Sequence, residues 1–158
     1  MLSVTAAEVQ AEMDACSANY ILYMLDGISV GFVKYSHRDL QGYQQTDWYD
    51  APLDLSSSVH IEKVAVREAF RGRGIGRTLY AEVSRENPGR SLHTYVVMSP
   101  CRNNASMAFH NAIGFVPKAR SPYEIVPGEW MLEELLVLDD QQRLRALSCS
   151  TVERSGAR

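Results

Sequence analysis

Cysteine is scarce in this chain, and what there is has no partner pattern. Cys16, Cys101 and Cys149 are odd in number and show neither C-x-x-C nor Cys/His ligand spacing. This fits reduced thiols in a cytoplasmic setting better than a disulfide framework or a zinc site. No apolar run is long enough to cross a bilayer, and the N-terminus lacks the basic flank and apolar core of a signal peptide. A large excess of charge of one sign is also missing: the formal net charge is -3, so no nucleic-acid partner is expected. There is no internal repeat and no low-complexity tract. What is present, 46% apolar and 22% charged residues over 158 positions, suits one globular domain with its own core.

The element pattern is readable in order. Thr5-Ala6-Ala7-Glu8 is a capping box, and Val9, Met13 and Cys16 follow at helical spacing, so a helix is expected from about Ala6 to Cys16. Tyr20 to Leu25 and Ile28 to Tyr35 flank Asp26-Gly27, a hairpin signal. His37 to Ser58 is long and irregular, with Tyr43, Trp48 and Tyr49 read as sheet-packing aromatics or as the wall of a flap. Val59 to Val66 is the central strand. Ile75, Leu79 and Val83 mark an amphipathic helix stopped by Asn87-Pro88-Gly89. Leu92 to Met98 is the next strand, and strand–helix–strand implies a crossover with parallel pairing. Asn103 or Asn104 caps a second helix with the face Ala105, Ala108, Phe109 and Ala112, and Gly114 closes it. Phe115 to Ala119 and Glu129 to Leu138 are strands joined by a loop holding Pro122, Pro127 and Gly128. A short helix is expected around Leu144 and Leu147, before a polar tail. The expected division is one domain over 1–138, with a short helix and tail over 139–158.

The chemistry centres on Arg71-Gly72-Arg73-Gly74-Ile75-Gly76-Arg77, between a strand and a helix. The first helical turn leaves backbone N–H groups unpaired and carries partial positive charge. Glycines let a phosphate approach those groups, and Arg71, Arg73 and Arg77 add forked cations. A pyrophosphate is the natural ligand. A P-loop is excluded because no Lys-Ser or Lys-Thr follows, and the G-x-G-x-G spacing is not the dinucleotide G-x-G-x-x-G. A nucleotide-binding protein is therefore disfavoured.

Arg71-x-x-Gly74-x-Gly76 after Val64-Ala65-Val66 resembles the Q/R-x-x-G-x-G/A signature of GCN5-related N-acetyltransferases, the GNAT superfamily. A second signature, N-x-x-[AS]-x-x-[LF]-Y-x-x-x-G-F, is matched by Asn103, Ser106, Phe109, Gly114 and Phe115, with His110 in place of tyrosine. The resemblance implies an α/β (α+β) fold with a mixed, mostly antiparallel sheet, a splayed parallel strand pair and flanking helices. It implies acetyl-CoA or another acyl-CoA as co-substrate, no metal, and transfer to a primary amine by direct attack. The pyrophosphate would lie on the N–H groups of Gly72 to Gly76. The pantetheine arm would pair with Val64 and Val66 and pass Asn103, Ser106 and Phe109. The backbone N–H of Val64 or Ala65 would meet the carbonyl oxygen.

An alkyl ammonium has a pKa of about 10.4, so a base must accept its proton. On an extended strand His60, Glu62, Val64 and Val66 fall on one side, which offers His60 and Glu62 as bases. His110 stands where the resemblance places a tyrosine acid, and an imidazole can also donate a proton. A thiol with pKa of about 8.5 is a fair leaving group without an acid. His93, His37 and Cys101 are read as structural. The acceptor is expected to be a small-molecule or peptide amine, with no membrane partner, and a homodimer is allowed. The alternative function is a non-catalytic acyl-CoA-binding module of the same fold.

Overall fold

The computed structural model describes residues 18–37 and 46–139, together with Ala11 and Ala15. The bond from Ala15 N–H to the Ala11 carbonyl, 3.0 Å, is one helical turn. The rest of the expected N-terminal helix, Tyr43 and the expected C-terminal helix lie outside the described residues.

Seven strands form one sheet in the order β1-β2-β4-β5-β7-β6-β3 among the described residues. They are β1 (Asn19–Leu25), β2 (Ile28–Ser36), β3 (Asp47–Trp48), β4 (Val59–Val66), β5 (Leu92–Ser99), β6 (Val116–Val126) and β7 (Glu129–Leu138). Among the described residues two α-helices have full bounds, α1 (Ile75–Glu86) and α2 (Asn104–Ala112). All pairings are antiparallel except β4 with β5, as the crossover pattern anticipates.

Local chemistry explains the elements. Asp26 and Gly27 both have positive φ, 49° and 77°, which is the type I′ geometry that matches strand twist. On α1, Ile75, Leu79, Tyr80 and Val83 are buried and meet Val33, Tyr35, Val59, Ile61, Leu92 and Leu136 in the main core. Ile61, Leu79 and Leu92 are among the largest fully buried side chains, each worth about 1.5–3 kcal/mol of transfer free energy. At the far end of α1, the Tyr35 hydroxyl donates to Glu86 at 2.5 Å, which ties the helix to β2.

Three expectations need correction. β6 does not end at Ala119 but runs through Pro122 to Val126, and only Pro127-Gly128 turns the chain. Its outer side pairs with β3 only at Ala119 and Arg120, so Pro122 removes no ladder donor. The buried face of α2 is Met107 and His110, continued by Ile113, while Ala105, Ala108 and Ala112 are exposed. The His110 imidazole can join the buried face because both its nitrogens are hydrogen-bonded. On β4, His60 and Glu62 do not share a face with Val64 and Val66. Val59 and Ile61 belong to the main core, and so do Val64 and Val66, so the alternation changes between them. The cause is a bulge: Tyr35 pairs with Ile61 and Lys34 with Lys63, which leaves Glu62 as the extra residue.

Candidate active site

The glycine turn is set by backbone geometry. Gly72 and Gly74 have φ of 73° and 78°, the left-handed region that suits glycine, and an added Cβ at either would meet nothing within 4 Å. Gly74 caps α1, and the first helical bond is from Thr78 N–H to Gly74 O at 3.0 Å. The N–H groups of Ile75, Gly76 and Arg77 therefore precede the helical ladder. Gly76 is glycine for another reason: a Cβ there would lie 2.9 Å from the Phe109 ring of α2. The arginines brace this turn. Arg71 Nε donates to Val66 O at 3.1 Å, Arg73 Nη2 to Ala69 O at 3.2 Å and Arg77 Nη2 to Ala112 O at 3.5 Å.

Beside the turn, the parallel strands part. β4 and β5 pair only at Val59 with Leu92 and His60 with His93. A bond from Thr94 Oγ1 to Ile61 O, 2.9 Å, is a further link. Beyond it β4 runs on to Val66, pairing only with β2. Arg67 N–H bonds to Val30 O at 2.8 Å, and Ala65 lies opposite Phe32. By the alternation of an antiparallel ladder, the N–H and C=O groups of Val64 and Val66 turn away from β2 into the gap, while those of Ala65 turn toward β2. The Arg71 contact to Val66 O agrees. Such a gap lacks one strand.

α2 begins at the edge of this region. Asn103 caps it, its Oδ1 accepting from Ser106 N–H at 3.0 Å, so the carboxamide NH2 is the end left to donate elsewhere. His110 is 3% exposed, and both ring nitrogens are engaged. Nδ1 lies 2.7 Å from the Ser106 carbonyl, which can only accept, so Nδ1 carries the proton. Ser106 Oγ is also near, at 3.2 Å. Nε2 then accepts from the Tyr80 hydroxyl at 2.6 Å. Burial pushes the His110 pKa down, partly offset by the Ser106 bond, and pushes the Tyr80 phenol up. A neutral, locked imidazole joins α1 to α2.

The opposite face of β4 carries the other candidates. His60 is 8% exposed and stacks on His93, with ring centroids 4.9 Å apart and planes 14° from parallel. Tyr95 packs edge-on against both. The Ser58 hydroxyl has one proton and donates it to Ser91 O at 3.0 Å. The 2.8 Å contact between His93 Nδ1 and Ser58 Oγ therefore has the imidazole as donor, and His93 is the Nδ1–H tautomer. His60 Nδ1 is buried with no partner among the described residues. Burial lowers the His60 pKa to about 4, with Lys34 adding to the fall and Glu62 opposing it. Burial, then His60, lowers His93 to about 3. Glu62 projects from the bulge and bonds to Lys34 Nζ at 2.8 Å.

The structure thus brings His60 and Glu62 together at the start of the gap, and places His110 in the interior. Lys34, His93, Ser58 and Tyr80 join these groups without a sequence signal, because each acts across strands or helices.

The comparisons agree with this geometry. The family model described as Acetyltransferase (GNAT) family matches residues 4–115. No curated protein gives a significant match. Among solved structures, smu.2055 from Streptococcus mutans UA159 has a TM-score of 0.63 at 20% identity, over 88% of this chain and 80% of that one. A GNAT family acetyltransferase from Elizabethkingia anophelis with acetyl-CoA bound has a TM-score of 0.55 at 16% identity, over 84% and 82%. The aminoglycoside N-acetyltransferase AAC(6')-Iy in complex with CoA has a TM-score of 0.53 at 26% identity, over 76% and 81%. The family match spans more than half of the chain, and its fold neighbours carry the same sheet: the chain belongs to the GNAT acetyltransferase family.

Proposed function

We propose that this protein transfers an acetyl group from acetyl-CoA to a primary amine by direct attack in a ternary complex. The observation that carries this is the gap between β4 and β5, lined by the outward backbone of Val64 and Val66 and ending at the open turn of Gly72 and Gly74. The space above those glycines fits a pyrophosphate on the N–H groups from Gly72 to Arg77, with Arg71 and Arg73 supplying charge nearby. Asn103, Ser106 and Phe109 line the arm, and the Val64 N–H, rather than that of Ala65, meets the thioester oxygen. When bound, the co-substrate supplies the activated acetyl group and a thiolate leaving group.

Glu62 is the base. An imidazolium at His60 would carry a second N–H at Nδ1, which is buried without an acceptor, so protonation there is opposed by more than burial. Glu62 sits at the surface of the bulge, where an amine can reach it. His60 then acts as a neutral neighbour. His110 donates no proton to the thiolate, because its Nδ1–H is spent on Ser106 and its Nε2 on Tyr80. The thiolate departs unassisted.

The test is release of free thiol from acetyl-CoA across a panel of amines. Glu62→Gln is expected to lower kcat by about 100-fold or more, with partial recovery at high pH and unchanged acetyl-CoA affinity. Tight acetyl-CoA binding without turnover of any amine would instead assign a non-catalytic binding module.

A further inference from the structure

We propose that β1 pairs with β1 of a second copy of this chain, antiparallel and about a two-fold axis at Leu22.

The open edge carries it. β1 ends the sheet among the described residues and pairs with β2 alone. The backbone groups of Val64 turn away from β2, so those of its partner Val33 turn away from β4, toward β1. Ile21, opposite Val33, therefore makes the ladder bonds to β2, and the N–H and C=O of Leu22 point outward. Edge strands are ordinarily blunted by charge, proline or a bulge of their own. The sequence of β1, NYILYML, has neither charge nor proline. The irregularity in its ladder puts the extra residue, Val30, on β2, so β1 keeps its alternation. Ile21 and Tyr23 accordingly pack on the main core, while Leu22 and Met24 are 56% and 49% exposed.

The strand suits its own copy. A two-fold contact is isologous, so the edge must complement itself. Leu22 is the midpoint of Asn19–Leu25 and also an outward residue. Centred there, Leu22 faces Leu22 of the second copy, Met24 faces Tyr20 and Leu25 faces Asn19. Apolar side chains meet on one face and no charges oppose each other. Growth stops at two. The other end of the sheet is β3, two residues long with Asp47, and the outer side of β6 past Arg120 carries Pro122 and Glu124. One strand pair is small beside a standard interface of about 1,600 Å2, so the dimer is expected to be weak, with Kd of roughly 10–100 μM.

Sedimentation from about 5 to 500 μM, a range set around that Kd, is expected to show monomer passing to dimer. Leu22→Lys is expected to stay monomeric with its melting temperature nearly unchanged, since the side chain is exposed. Ile125→Lys, on the exposed β6–β7 hairpin, is expected to dimerise like wild type. With the three native cysteines changed to serine, Leu22→Cys is expected to form a disulfide-linked dimer, because a hydrogen-bonded antiparallel pair sets the Cα atoms about 5.5 Å apart. Leu25→Cys is not. A wild-type chain monomeric at about 500 μM, well above the Kd expected for so small an interface, would leave this edge to a strand of a different protein and overturn the proposal. So would a dimer that persists in Leu22→Lys, or a link formed through Leu25→Cys and not through Leu22→Cys.

Discussion

At the scale of single residues, the three buried histidines are held neutral by different means, and the hydrogen-bond count identifies two of their tautomers. His93 donates from Nδ1 because the Ser58 proton is already given to Ser91, and His110 donates from Nδ1 because a carbonyl can only accept. Among the described residues, His60 is the histidine whose ring nitrogen, Nδ1, is buried without a partner. Tyr80→Phe tests the interior role of His110. It leaves Nε2 buried without a donor and should cost about 1–3 kcal/mol in denaturant unfolding. The kcat for acetyl transfer should stay within a few-fold of wild type. A large loss of kcat in this variant, without loss of acetyl-CoA affinity, would return His110 to the reaction.

At the scale of elements, the strand–turn–helix unit works because its glycines meet two separate demands, left-handed backbone at Gly72 and Gly74 and close approach of Phe109 at Gly76. Gly74 needs its left-handed backbone, so Gly74→Ala should destabilise by about 1–2 kcal/mol, and Gly74→Asn by less, since Asn tolerates that region. Equal melting temperatures for the Ala and Asn variants would contradict this account. Gly76 has no room for a Cβ against Phe109. Gly76→Ala should therefore weaken coenzyme A binding by displacing Phe109 and α2, and Phe109→Leu in the same chain should restore part of the affinity, as read by calorimetry. The glycine turn was legible in the sequence because its dihedrals and its N–H groups are local properties. The bulge at Glu62 was not, since a bulge exists only relative to the partner strand, and it alone moved Val64 and Val66 to the core side.

At the scale of the whole molecule, the buried imidazoles make stability depend on pH. The folded pKa values of His60 and His93, about 4 and about 3, lie below the unfolded value near 6.5. Below pH 6.5 the unfolded chain takes up protons that the folded chain refuses, so stability is full above that pH and falls as pH drops toward the folded values. By pH 5 each of these two groups should have cost about 2 kcal/mol, and His110 adds to the loss in the same direction. The melting temperature should be flat from pH 8 to 7 and fall steadily from pH 6.5 to 5, before most carboxylates titrate. His93→Phe should shallow that slope. A flat profile down to pH 5 in the parent protein would show that these rings are not held neutral.

Some properties of this protein follow from residue order alone. Strand alternation, helix periodicity, the Asp26-Gly27 turn and the two spaced motifs from Arg71 to Gly76 and from Asn103 to Phe115 depend on neighbours in the chain, and they carry the fold and the family. The local chemistry of the proposed base does not. The pairing of Lys34 with Glu62, the stacking of His60 on His93 and the locking of His110 by Tyr80 join residues 28, 33 and 30 positions apart. They exist only once strands take their register and helices their rotation. Burial then sets which imidazoles stay neutral, because a charge that leaves water without a partner is opposed by the full cost of its desolvation.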